Sequence, residues 1–162
     1  MLKKVFMERQ NQVKLLLELI WWLFTAAIVW AVLTPVYKAM YVWPFHTRNI
    51  VFIVVLITIT RYVFLLKHTF LAKQQVLKIA LLLLMFPVTF LLIDSLNDFI
   101  VYIEDQTWEP LTGHLPLQEK QETEKYLWNE MLFFGVGSIV SAPVFAIRLM
   151  MSIWRTRNRG TV

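Results

Sequence analysis

The chain has 162 residues, of which 58% are hydrophobic and 17% charged, with a net charge of +5 and no cysteine. A soluble domain carries about a quarter charged residues; here long apolar blocks alternate with short charged ones, the pattern of a chain whose solvent is lipid. Without cysteine, disulfide frameworks, thiolate nucleophiles, cysteine-bound zinc, iron–sulfur ligation and membrane thiol oxidoreductases are excluded, and no basic patch interleaved with aromatics supports nucleic-acid binding.

The first apolar block, 15–36, is interrupted only by Glu18. At about 1.5 Å per residue it is long enough to cross a hydrocarbon core of about 30 Å. It is too long for a signal-peptide core and no small-residue cleavage site follows, so a retained signal-anchor helix is expected. Ahead of it, Leu2, Val5, Phe6, Arg9 and Val13 have the spacing of a short interfacial amphipathic helix. Pro35 favours an end or a kink in the last turn. The connection that follows holds Tyr41, Trp43 and Phe45, residues that settle at headgroup depth.

A second span is predicted over 50–66, or to 72 if the helix continues past Lys67 and His68. The third covers 76–93, with Pro87 near its middle. Beyond it Leu92, Leu96, Phe99, Ile100 and Ile103 recur at helical spacing while Asp94, Asn97, Asp98 and Asp105 take another face, which predicts an amphipathic extension outside the membrane. Pro110, Gly113 and Pro116 mark a long outer loop, and the charged segment 117–125 opens the last helix. The fourth span is predicted over 126–153, bracketed by Trp128 and Trp154 as belt residues of the two interfaces. The expectation is an all-α integral membrane four-helix bundle forming one domain over 1–162, with the outer helix and loop segment at 94–125.

Basic residues set the orientation. Lys3, Lys4, Arg9, Lys14, Lys67, Lys73, Lys78, Arg148, Arg155, Arg157 and Arg159 fall on one side, and Lys38, Arg48, Lys120 and Lys125 on the other. The richer side belongs in the cytoplasm, with both termini, and a bacterial inner membrane is the expected location.

Three constellations are candidate sites. Glu18 and Arg61 lie at matching depths of roughly 6 and 9 Å inside the cytoplasmic boundary, so they are a candidate intramembrane ion pair, either structural or part of a proton or ion path. Asp94, Asn97 and Asp98 share a helix face, and Glu130 can join them in an outer polar cluster, although one helix supplies too few oxygen ligands for a hard cation and no metal is assigned. Gly135, Ser138, Ala142 and Ala146 form a helix-packing strip, for which Ala27 and Ala31 of the first span offer a complement.

His46, His68 and His114 sit near interfaces or in loops, so no haem-ligating pair, no cofactor and no nucleophile–histidine–acid set is expected. The sequence thus points to a non-catalytic component of a larger membrane complex, partnered by lipid and by other membrane proteins or copies of itself. The alternative is a small oligomeric ion or proton channel or transporter using Glu18 and Arg61.

Overall fold

The computed structural model describes residues 2–40 and 42–158, with the side chains of 2–11, His68 and Lys73 excluded. Tyr41, Arg159 and the side chains of Leu2, Val5, Phe6, Arg9, Lys3 and Lys4 therefore lie outside the described residues. The described chain is all-helical: α1 (Leu2–Ala39), α2 (His46–Leu65), α3 (Gln75–Gln106), the single turn α4 (Glu109–Thr112) and α5 (Leu117–Asn158). α1, α2, α3 and α5 each contain a stretch long and apolar enough to cross a membrane.

Helix boundaries follow local chemistry. α1 runs through Pro35 for one further turn, so the proline neither ends it nor coincides with its end. A proline lacks the N–H that would bond the carbonyl four residues back, which frees one acceptor near the helix end. Close to that point the Tyr126 hydroxyl donates to the Val32 carbonyl at 2.8 Å, tying α5 to α1. α2 stops at Leu65 with neither glycine nor proline nearby, and two 3₁₀ turns, Leu66–His68 and Phe70–Lys73, follow it. Thr69 between them is extended and its hydroxyl donates to the Leu66 carbonyl at 2.9 Å, a local bond that competes with continuing the helix. The polypeptide to Ala72 is thus neither α-helix nor loop. α3 continues as one helix to Gln106 and ends at Thr107, whose φ of 60° with ψ of −171° is unusual for a β-branched residue and turns the chain sharply. The extension 94–106 and the segment 117–125 are both helical, and the connection between them is 107–116, which holds α4.

α5 is the centre of the bundle. It packs along its length against α2 and α3, while α1 packs mainly on α2. Leu127, Met131, Ala142, Phe145 and Leu149 are buried on the inward stripe of α5. Gly135 and Gly137 set the approach: a Cβ on Gly135 would lie 2.8 Å from Leu96 Cδ1 of α3, and one on Gly137 2.9 Å from Leu56 Cδ2 of α2. Ser138 and Ala142 are buried beside them and Ala146 is half-buried, so the strip faces into this bundle. Ala27 and Ala31 of α1 are exposed and do not complement it.

Above the apolar stretches the extension of α3 lies on α5 and on the connection between α1 and α2. Phe99 sits at the centre, its ring centroid 5.3 Å from Phe45, 5.8 Å from Trp128, 6.2 Å from Trp43 and 6.3 Å from Trp108. Trp43 and Phe45, expected at headgroup depth, are buried in this aromatic core, and Trp128 is packed against it. Trp154 is exposed, as a belt residue would be.

Replacing Gly135 with isoleucine should overpack the α3–α5 contact and destabilise the protein by about 1–3 kcal/mol. Gly135→Ala should do much less harm, because the obstructing atom is a terminal leucine methyl that can rotate away. Thermal unfolding in detergent compares the two; equal melting temperatures for wild type and G135I would show that α3 is not held at this distance.

Candidate functional site: intramembrane polar contacts

Among the described residues, charged and amide side chains reach into the bundle at three places. The first joins α1 to α2. Arg61 Nη2 lies 2.7 Å from Glu18 Oε1, with the arginine side chain 7% and the glutamate side chain 18% exposed. The guanidinium carbon also stands 5.5 Å from the Trp21 ring centroid and 5.4 Å from that of Tyr62, so two aromatic faces shield the cation. Arg61 Nε is buried without a hydrogen-bond partner. The structure therefore brings together the two charges that the sequence placed at matching depth. Arg61 also lines an open groove beside α1.

The second place joins α2 to α5. Asn49 Nδ2 donates to Glu130 Oε2 at 2.8 Å, and both residues are buried. Asn49 Oδ1 and Glu130 Oε1 remain without partners. The expected outer polar cluster is divided as a result. Asp98 faces Arg48 at 2.6 Å on the outside of the bundle, where Arg48 also stacks over Phe45 at 5.5 Å. Asp94 and Asn97 are exposed, whereas Glu130 points into the core. Among the described residues no three His, Cys, Asp or Glu side chains come close enough to hold a metal ion. Asn49 drew no attention in the sequence, where it is one polar residue ahead of a long apolar run; only its position opposite Glu130 gives it a role.

The third place is the end of α2. The Nζ of Lys78, 1% exposed, donates to the Ala72 carbonyl at 2.7 Å. Arg148 Nε donates to the Val63 carbonyl at 3.2 Å. The last carbonyls of a helix have no intrahelical donor and carry partial negative charge, so cations settle there. Two residues counted as orientation charges are thus also caps on the broken end of α2. His46 and His114 occupy outer-end contacts: Tyr37 Oη meets His46 Nδ1 at 2.7 Å, and His114 Nε2 meets the Ala39 carbonyl at 3.0 Å. The Lys120 ammonium pairs with Glu109 and the Thr112 hydroxyl donates to Glu124 at 2.6 Å, which locks α4 onto α5.

Arg61→Leu should destabilise the protein by about 3–5 kcal/mol, because it strands Glu18 without its partner, while the double variant Glu18→Leu/Arg61→Leu should recover most of that loss. Denaturant titration of the three variants measures this, and a double variant as weak as the single one would mean that the pair does more than neutralise itself. Asn49→Leu, which removes the donor to Glu130, should cost about 1–3 kcal/mol in the same assay.

Comparison with known proteins finds no matching protein family, no matching curated protein and no matching solved structure.

Proposed function

We propose that the chain is a non-catalytic subunit of a larger membrane assembly, seated in a bacterial inner membrane with both termini in the cytoplasm. The observation that carries this reading is the incomplete seating of α1. Its outer end is anchored by Leu33, Val36 and Met40, which are buried, and its inner half is held by the Glu18–Arg61 pair. Between these points Thr25 is the one buried residue of α1 among the described residues, and Ile28, Val29 and Val32 are half-buried. An apolar groove of about 670 Å³ lies beside α1, lined by Trp21, Phe24, Leu56, Arg61, Phe64 and Phe133 among others. A second, of about 370 Å³, runs along its other side past Trp22, Trp30 and Val54.

Lipid tails and apolar side chains are equally good solvents for one another, so apolarity alone does not seat a helix in a membrane. Shape does. Two aromatic-edged grooves beside one loosely held helix fit a transmembrane helix of another protein as the occupant. The transport alternative rests on Glu18 and Arg61 as mobile groups, and their mutual pairing under two aromatic rings weighs against it. The orientation is supported by the basic residues gathered at the end where α2 and α5 finish.

Purification in mild detergent followed by mass spectrometry tests the reading. A membrane protein recovered in fixed stoichiometry is expected, and the double variant Trp22→Ala/Trp30→Ala should release it while leaving the helix content unchanged. A homo-oligomer with no companion would overturn the subunit reading in favour of a channel or transporter.

A further inference from the structure

At the end of the bundle where α2 breaks into 3₁₀ turns, a half-open cavity of about 340 Å³ lies between the 66–72 segment and the last turns of α5. Its polar wall holds Lys67, Arg148 and Arg155 with the hydroxyls of Ser152 and Thr156, and among the described residues no carboxylate lines it. Leu66 and Ala72 form the opposite, apolar side. Among the described residues no acidic side chain is paired with any of the three cations. Arg148 spends only its Nε on the protein, donating to the Val63 carbonyl, so its guanidinium is held in one plane with its terminal nitrogens unassigned.

We propose that this cavity is a binding site for a phosphoryl group, that of an anionic membrane phospholipid. The carbonyl end of α2 contributes a partial negative charge of about half a unit, too little to offset three cations, and Arg148 already covers one of those carbonyls. The depth fits a headgroup. Trp154, exposed and of a residue type that settles at headgroup depth, lies between Ser152 and Arg155 in the chain, and Leu66 and Ala72 give the cavity an apolar part against which a glycerol backbone would lie. The volume falls within the range of small-ligand sites, about 300–1,000 Å³, and planar guanidinium donors suit phosphate oxygens. Basic pockets between membrane helices on the positive side are a recurring form of headgroup recognition. The proposal stands apart from the subunit reading, since the cavity shares no lining residue with either groove beside α1.

The test is a titration of the purified full chain in mild detergent, followed by tryptophan fluorescence on heating, with three probes: a short-chain phosphatidylglycerol, a phosphatidylcholine of the same chains, and inorganic phosphate. Binding to the folded state raises the melting temperature in a saturable way. A saturable rise is expected with phosphatidylglycerol and not with phosphatidylcholine. The apparent affinity should fall about tenfold in Lys67→Gln/Arg155→Gln, whose side chains are exposed and not needed for the fold. Arg157→Gln, which removes a charge from the same end but outside the cavity, should bind as wild type. Lys67→Gln alone, expected to weaken binding about threefold, decides the matter if the double variant does not fold. Equal shifts with both lipids, or an equal loss in Arg157→Gln, would overturn the site in favour of general surface charge. A saturable rise with inorganic phosphate and no lipid preference would overturn the lipid assignment and give the cavity to a soluble phosphoester.

Discussion

Close approach of α5 to its two neighbours is the constraint from which the rest of the structure follows. One apolar helix gains little by leaving lipid for another, so membrane helices stay together where backbones can come near and dispersion contacts accumulate. On α5, glycine at 135 lets Leu96 of α3 reach the helix surface and glycine at 137 does the same for Leu56 of α2. Ser138 and Ala142 keep the approach shallow-walled over the next turns. Two helices are thereby fixed against one, and α5 becomes the axis of a three-helix unit to which α1 is added.

Polar groups then decide register and completeness. The Asn49–Glu130 bond links α2 and α5 within their buried faces, where a slip along either helix would separate donor from acceptor. The Glu18–Arg61 pair does the same for α1 and α2, in the half of α1 that has little else to hold it. Lys78 and Arg148 compensate the broken end of α2, which explains how 3₁₀ backbone with no glycine or proline persists directly after a long apolar helix. Backbone outside a helix is tolerated at that depth only when its polar groups are satisfied by protein or water.

The outer end obeys different physics. There the extension of α3, the start of α5 and the α1–α2 connection meet, and Phe99, Trp43 and Phe45 pack together, the kind of contact that the hydrophobic effect drives wherever water is excluded. A small aromatic core of the kind found in soluble proteins thus sits at one end of a bundle held by close approach and hydrogen bonds. At the other end Leu66, Leu71, Phe145 and Leu149 are buried without such an aromatic cluster among the described residues, and Lys14 of α1 stands over the Phe70 ring at 5.9 Å.

By itself the sequence determined the number of spans, their approximate limits, the amphipathic continuation of α3 and the continuous start of α5, because run length and helical periodicity are properties of one segment at a time. It also put Glu18 and Arg61 at the same depth, since depth is counted along the chain from a charged boundary. Partnership is another matter, because it depends on which faces of separate helices meet. Only the tertiary structure decided that Glu130 turns inward to Asn49 while Asp98 turns outward to Arg48, that the small-residue strip meets α2 and α3 rather than Ala27 and Ala31, and that Trp43 and Phe45 pack into a core around Phe99. Helix rotation sets each of these, and an all-apolar lipid-facing helix carries little polar periodicity from which its rotation can be read.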